Sequence, residues 1–539
     1  MGEVKAPFAS SEMEPAAADS VSNCSGQPSA ALSNEPDWIT TPHLRPDFGG
    51  PVDREYMPFA DPAMAPPIVD MLQAIATRYR DRIAVECEGE ATTYAELWKS
   101  VCRLTHEIDR AGGAPGHIAI LLPSTAAYVA AVFASLAARR LCVLLDESYP
   151  ESRNSLIAAQ TNVSLVLCSP ERAPAIAWPG VKVLCVSEKG GEASEVATAK
   201  LPALPLDDPA FILCTSGSAG QPKPIVHSQR TLLHWARTTH DALHVRADDR
   251  VLSLSSLSSL GGFTGLLNFI LAGVCLQMLD VKANGLSGLL ETLASRPVTI
   301  LRAAPSMLRS LAKLPEARMA FSGLRLVQTY GEPLPKADLK EWRSMLPHDC
   351  FVRSTYGSTE ASGLSWFAAD RDDHDPIHVA AGALMPDTMA AIVDDNGAPC
   401  VVGTAGELWI RSRYNALGEW TDGRLVAGRL ALHPSGDGTR VYKTGDLARR
   451  HSDGVFVVLG RLDRMVKVNG QRLEPSEIEV LLRAHPAVQD AEVIVVQSEA
   501  QGAKLLAFVI ARDDSPPGLV AELRCLLRKT LPSFMMPSR

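Results

Sequence analysis

Residues 211–224 read FILCTSGSAGQPKP. An apolar strand runs into a stretch of two glycines, three hydroxyls and one lysine with little bulk between them. Gly217 and Gly220 permit positive φ and let backbone N–H groups approach a ligand. Thr215, Ser216 and Ser218 add short hydrogen-bonding groups, and Lys223 adds a flexible positive point charge suited to phosphate. On residue chemistry alone the stretch fits either a phosphate cradle or a plain surface turn. It is not a P-loop, because no GK[ST] closes it, and it is not a GxGxxG dinucleotide turn.

On both sides of this loop the chain alternates strand and helix. The apolar spacing of IVDMLQAIATRYRD predicts a helix, IAVEC a strand, and TYAELWKSVCRLTHEIDRA a second helix capped by Thr93. HIAILLP, RLCVLLD, VSLVLC and VKVLCV follow as buried strands around the helix AYVAAVFASLAA, and RVLSLSSL, VCLQML, VTILRAAP and LRLVQTYG continue the pattern. Such alternation predicts a large α/β domain whose mostly parallel sheets are covered by helices. After residue 385 the texture changes: MAAIVD, GELWIRS and GVFVVLG predict a small antiparallel subdomain. From near Asp463 the order strand, helix, strand, strand, helix predicts a small α+β C-terminal domain. The expected division is therefore 1–36, a disordered leader or arm rich in Ser, Ala, Glu and Pro; 37–461, the large core; and 462–539, the small mobile domain.

The 539 residues, 46% hydrophobic, suffice for more than one core. The net charge of −9, from 52 basic and 61 acidic residues, disfavours nucleic acid or an anionic membrane as partner. The longest apolar stretch, 263–279, is interrupted by Asn268 and Gly273 and reads as a buried helix rather than a membrane span. The N-terminus lacks the basic and apolar regions of a secretory signal. Eleven cysteines without CxxC pairs fit buried thiols in a reducing, cytoplasmic setting.

Several separated segments carry a family likeness. TSGSAGQPKP resembles the phosphate loop T-S-G-[ST]-[TS]-G-x-P-K-G, and STYGSTEAS, residues 354–362, resembles a Y-G-x-T-E core. Residues 441–479, VYKTGDLARRHSDGVFVVLGRLDRMVKVNGQRLEPSEIE, resemble Y-x-T-G-D followed by G-R-x-D-x-x-x-K-x-x-G-x-R-[IV]-E, and LCVLLDESYPESRN resembles YVPLDPxYPxxR. From about residue 67 onward the chain thus resembles the adenylate-forming superfamily of acyl- and aryl-CoA synthetases and luciferases, and within it an adenylation domain of a nonribosomal peptide synthetase. The resemblance implies ATP-dependent activation of a small carboxylic acid as acyl-AMP, with Mg²⁺, followed by loading onto the phosphopantetheine of a carrier protein.

It also implies roles. Thr215, Ser216, Gly217, Ser218, Gly220 and Lys223 would hold phosphates, and Gly331, Glu332 and Pro333 would border adenine, with backbone approach mattering more than the glutamate side chain. Tyr356 would stack on adenine, Asp446 would accept from the ribose hydroxyls, and Arg461 would join the nucleotide site. Glu360 would hold the metal, Thr359 would reach an α-phosphate oxygen, and Lys467 would support the thioester-forming orientation. Asp463 would be the hinge between the large and small domains. Each has a plainer reading as a core tyrosine, a turn aspartate, an exposed lysine or a solvated glutamate.

Departures from the family pattern carry expectations of their own. Pro224 stands where a glycine is usual, removing a backbone donor and fixing φ, and Ala219 replaces a hydroxyl residue. In VLSLSSLSSLGGFTGLLNFILAG, Ser259 and Leu260 fall on the F-D pair whose aspartate neutralises an amino-acid ammonium. An ammonium buried beside Leu260 would lack a counter-charge, so the expected substrate is not an ordinary α-amino acid. The same alignment assigns the acyl pocket to Leu260, Gly261, Thr264, Arg302, Gln328, Tyr330, Thr355, Gly363 and Leu364. Arg302 would receive a second carboxylate, a keto oxygen or another acceptor, or else turn aside to a protein acid. LPSFMMPSR, residues 531–539, resembles the segment before a catalytic lysine loop, so weak adenylation is expected of a chain ending at Arg539. Two rival functions stay open: an acid–coenzyme A ligase, disfavoured by the lack of a histidine near Ser259, and an impaired nucleotide-binding or scaffold domain. DRDDHDPIH, residues 370–378, reads as a solvated acidic loop rather than a metal site, and His227 reads as orienting the phosphate loop or as structural.

Overall fold

The structure, a computed structural model, describes residues 38–539 except 41–44, 46, 57, 60, 63, 113–115, 188–203, 218–220, 369–373, 469, 499–501 and 513–514. The leader 1–36 lies outside the described residues, as do Ser218 and Gly220 of the glycine loop.

Sequence spacing turns into helices where expected. Tyr94–Ala111 begins at a reciprocal cap: Thr93 Oγ1 accepts from the backbone N–H of Glu96, and the Glu96 carboxylate accepts from the N–H of Thr93. Ala126–Ala137, apolar on all sides, is buried on all sides from Tyr128 onward. The stretch 263–279 is helical only to Ile270. Gly273, at φ +76°, turns the chain through the left-handed region, and Cys275–Met278 then enters a sheet as a strand.

Two large mixed sheets form the body. The first has nine strands, with Ile83–Cys87, Cys275–Met278, Arg250–Ser253, Ile300–Ala303, Leu326–Tyr330 and Phe351–Gly357 in parallel succession through its middle and antiparallel strands at its edges. The second has eight, with Lys182–Cys185, Val163–Cys168, His117–Leu121, Cys142–Leu144 and Pro209–Thr215 parallel, and Lys223–Ser228 turning back antiparallel. Helices pack between and over them; Phe211 of one sheet meets Phe263 of a covering helix edge-on at 4.8 Å. A five-stranded antiparallel sheet built from Thr388–Val393, Gly406–Ser412, Leu430–Leu432, Arg440–Arg450 and Phe456–Arg461 forms the subdomain expected after residue 385.

Beyond Arg461 the chain builds a separate apolar core. Val468, Leu473, Ile478, Leu482, Val493, Leu505, Leu523, Leu527 and Met535 pack on one another between two helices and the hairpin Val488–Ser498 with Gly502–Ala511. The strand expected at MVKVN is half of a hairpin, Val466–Val468 with Gln471–Leu473. Its second strand, only three residues long, leaves no periodic signal in sequence. This hairpin projects from the small domain onto the large one.

In parallel sheets, loops at the carboxyl ends of strands form the natural crevice for ligands. Here Thr215, Ser253, Ala303, Tyr330 and Gly357 all end strands, and the segments that follow them surround a single cleft.

Candidate functional site

The cleft encloses ≈ 1220 Å³ and has two parts. Toward the small domain it is lined by Thr215, Ser216, Ser358, Thr359, Asp446, Arg461, Lys467 and Arg472. Toward the large domain it is lined by Leu260, Gly261, Thr264, Arg302, Gln328, Tyr330 and Thr355.

The glycine loop leaves Pro209–Thr215 and re-enters the sheet at Lys223–Ser228, where Lys223 pairs with Thr215 and Pro224 with Cys214. Pro224 thus sits at the start of a strand, a place proline tolerates. Gly217 has a steric reason: a Cβ there would stand 2.4 Å from the carbonyl oxygen of Gln221. Thr215 Oγ1 is buried without a partner among the described residues. Ser216 Oγ donates to the carbonyl of Arg472 at 2.9 Å, so the projecting hairpin closes on the loop. Lys223 Nζ lies 2.7 Å from Glu419 and 3.7 Å from Glu360.

Glu360 is fully buried. Burial alone would raise its pKa, but the Arg472 guanidinium and the Lys223 ammonium outweigh it and hold the carboxyl down at about 2. Arg472 Nη1 donates to Glu360 Oε1 at 2.9 Å, while Oε2 is buried without a partner among the described residues. Asp446 accepts from Arg461 Nη1 at 2.9 Å and from the hydroxyl of Tyr356. The Tyr356 ring lies 5.9 Å from Lys467 Nζ, and burial lowers the Lys467 pKa, opposed by the charge of Asp446. Arg461 also holds Asp463 through Nε at 2.8 Å and Nη2 at 2.5 Å, and Asp463 caps the N–H of Met465. The hinge candidate is therefore tied to the nucleotide-side candidates through one guanidinium.

Glu332 does more than its sequence reading assigned. It accepts from the N–H and hydroxyl of Ser306, each at 3.0 Å, and from the N–H of Gly470 at 2.8 Å. Its side chain thus staples the projecting hairpin to the large domain. Pro333 is exposed and does not line the cleft.

On the acyl side, Ser259 caps the helix Leu260–Ile270: its Oγ accepts from the N–H of Gly262 at 3.3 Å and donates to the carbonyl of Ser256 at 2.7 Å. Leu260 is therefore the first residue of that helix and lines the cleft. Among the described residues Arg302 turns to no protein acid; it bonds Gln328 and the carbonyl of Gly261. Gly363 and Leu364 do not line the cleft. Leu364 is fully buried in a neighbouring apolar cluster with Leu384 and Ile410, and a Cβ at Gly363 would press on Ile410 at 2.5 Å.

Four groups around the site escape a reading by motif. Arg472 lies within the quoted terminal motif, yet nothing in sequence pairs it with Glu360. Arg153 and Glu477 form a buried ion pair of 2.6 Å between the domains. Asp146, inside LLDESYP, accepts from the hydroxyls of Ser256 at 2.6 Å and Ser258 at 2.8 Å and so fixes a serine-rich wall of the cleft. Arg353 is fully buried behind Gln328. The only sequence signal for Arg353 is a charge inside an apolar strand. His227 does not orient the glycine loop by hydrogen bonding: both ring nitrogens lack partners among the described residues, and the ring meets Trp235 edge-on at 5.4 Å. The acidic stretch 370–378 is described only in part; there Asp375 accepts from the N–H groups of Ile377 and His378.

A family model described as AMP-binding enzyme matches residues 72–420, and one described as AMP-binding enzyme C-terminal domain matches residues 477–539. A dimodular nonribosomal peptide synthase of Bacillus subtilis is 28% identical over 487 residues, covering 87% of this chain and 20% of that protein. Phosphinothricin tripeptide synthetase PhsC of Streptomyces viridochromogenes is 31% identical over 477 residues, covering 87% of this chain and 42% of that protein. The chain thus spans less than half the length of either relative. Among solved structures, an artificially fused adenylation–PCP di-domain, NpsA-ThdA from Klebsiella oxytoca, superposes with a TM-score of 0.74 at 22% identity, covering 88% of this chain and 93% of that one. At that identity the likeness speaks for the fold.

Proposed function

This chain belongs to the AMP-binding, adenylate-forming enzyme family, and we propose that it joins a carboxylic acid to ATP as acyl-AMP, releasing pyrophosphate, and passes the acyl group to the phosphopantetheine thiol of a carrier protein. In the first step a carboxylate oxygen bonds to the α-phosphorus and the bond to the departing pyrophosphate breaks. In the second, the carrier sulfur bonds to the acyl carbon and AMP leaves. The observation that carries the reading is the convergence of three distant segments: Thr215 and Ser216 of the glycine loop, Thr359 and Asp446 line one cleft, with Lys223 beside Glu360 and Tyr356 bonded to Asp446 behind its wall.

The residues present fit the chemistry. Thr215 Oγ1 and Ser216 lie at the loop for phosphate oxygens, and Lys223 stands close enough to Glu360 to bridge toward the same anion. Mg²⁺ fits Glu360, an ionised carboxylate with a buried unpaired oxygen; when bound, the ion would neutralise phosphate charge as a Lewis acid. Asp446 is the acceptor for ribose hydroxyls and Tyr356 offers the ring for adenine, while Gly331, at φ +85°, lets the Gly470 backbone approach, a Cβ there standing 3.0 Å from the Gly470 carbonyl oxygen. Thr359 positions the α-phosphate, and Lys467 places a cation beside Tyr356 and Asp446. Asp463 is the pivot for reorienting residues 462–539, which would free Glu360 from Arg472 during adenylation. The carrier partner is supported by the peptide-synthetase relatives.

Leu260 at the head of its helix supplies no charge for an ammonium, so the acid lacks an α-amino group. Trapping with hydroxylamine tests both points. Acids without an α-ammonium should yield hydroxamate and AMP well above their α-amino counterparts. A proteinogenic α-amino acid as the best substrate would overturn the reading of Leu260, and no trapped product with any acid would overturn the adenylation reading.

A further inference from the structure

Two arginines lie in the interior beside the cleft with no carboxylate to neutralise them among the described residues. Arg302 belongs to Ile300–Ala303 and Arg353 to Phe351–Gly357, with Leu326–Tyr330 between them. Strand register sets Arg302 opposite Gln328 and Gln328 opposite Arg353, so the three side chains stand in one row on one face. Arg302 is 3% exposed and Arg353 is 0% exposed. Arg302 donates through Nε to Gln328 Oε1 at 2.9 Å and through Nη1 to the Gly261 carbonyl at 3.0 Å. Its guanidinium lies 5.0 Å from the centre of the Tyr330 ring. Arg353 donates through Nη2 to Ser365 Oγ at 3.0 Å, while its Nε and Nη1 have no partner among the described residues. Burial lowers the pKa of both and takes Arg353 to about 9, with the charge of Arg302 adding to the shift; both remain cations near neutral pH.

The helix across the cleft is cut away to admit Arg302. A Cβ at Gly265 would sit 1.8 Å from Arg302 Nη1, and a Cβ at Gly261 would sit 2.4 Å from the Tyr330 ring. These glycines are four residues apart and share one helix face. Only Arg302 of the two arginines reaches the cleft wall; Arg353 adds charge from behind.

A buried cation without a counter-charge is costly, and here there are two. A neutral acceptor would satisfy hydrogen bonds and leave both charges standing. A carboxylate satisfies the bonds, matches the planar guanidinium and cancels one charge. We infer that the acid taken by this cleft carries a second carboxylate, remote from the one that is activated, and that Arg302 receives it. This rests on the adenylation reading and deepens it: the substrate is a dicarboxylic acid without an α-ammonium.

The test is calorimetric titration of the chain with α,ω-dicarboxylates of graded length, their half-amides and the matching monocarboxylates, with and without Mg·ATP. At one chain length the diacid should bind roughly 30-fold or more tighter than its half-amide. In Arg302→Met that preference should collapse, and in Arg302→Lys part of it should return, with circular dichroism confirming a native fold. Diacid and half-amide of equal affinity, no diacid binding under any condition, or a preference that survives Arg302→Met would each overturn the inference. Should Arg302→Met fail to fold, the comparison of diacid with half-amide in the unaltered chain decides. Mg·ATP binding without diacid preference refutes this inference alone; absent Mg·ATP binding refutes the adenylation reading beneath it.

Discussion

At the scale of single residues, the cleft sets opposing charges against one another before any ligand enters. Asp446 holds the Tyr356 hydroxyl and the Arg461 guanidinium and is proposed to receive ribose hydroxyls. Asp446→Ala should weaken Mg·ATP binding by about tenfold, the loss of a charge-assisted hydrogen bond, read by calorimetry. His227 makes a sharper case. Burial pushes its pKa down to about 3 against the opposing pull of Glu360, so the folded chain keeps it neutral while the unfolded chain protonates it below its ordinary value near 6.5. The stability this contributes is complete above about pH 6.5 and is lost as pH falls toward 3. Between pH 7 and pH 5 the loss is about 2 kcal/mol. His227→Phe, which removes two unpartnered nitrogens, should be near neutral at pH 7.5 and should flatten that part of the urea-midpoint profile. An unchanged slope would mean that His227 titrates normally in the folded chain.

At the scale of elements, the hairpin Val466–Val468 with Gln471–Leu473 is the piece that closes the cleft. Arg472 reaches Glu360, the Arg472 carbonyl takes Ser216, and Gly470 is held by Glu332. The buried pair Arg153–Glu477 fastens the following helix to the large domain. Arg153→Met leaves Glu477 without its partner; such a loss costs about 3–5 kcal/mol, tempered here because Glu477, already raised by burial, takes up a proton. The small domain has its own core, so the cost should fall on docking. Hydrogen exchange should accelerate at Val466–Val468 and Gln471–Leu473 while Leu519–Thr530 keeps its protection. Equal acceleration throughout 466–536 would show that the small domain does not fold apart from this contact. These elements also show where sequence stops being legible. The Thr93 cap and the Gly217 loop are readable because their partners lie within a few residues. Arg472–Glu360 and Arg153–Glu477 join residues 112 and 324 positions apart, a distance no local pattern spans. Leu364 was misplaced for a related reason: its burial depends on the neighbouring antiparallel sheet, which supplies Ile410.

At the scale of the whole molecule, two sheets present the carboxyl ends of their parallel strands to one cleft, and a small domain with a separate core covers it. The α/β body, the antiparallel subdomain and the α+β terminal block follow from strand–helix alternation and its change of texture. The docked orientation does not, because it is decided by ion pairs and a short hairpin rather than by periodicity. In that orientation Arg472 occupies the carboxylate proposed to hold the metal, so the proposed adenylation would have the small domain turn, with Asp463 as the proposed pivot. The most direct measurement is acid-dependent exchange of labelled pyrophosphate into ATP, with the unaltered chain beside Glu360→Gln. Exchange should occur only with Mg²⁺ and a fitting acid, and should fall about 100-fold or more in the variant, as expected when a group that stabilises the transition state is removed. Label incorporation that ignores the acid, or a Glu360→Gln variant that exchanges at the unaltered rate, would contradict the adenylation reading.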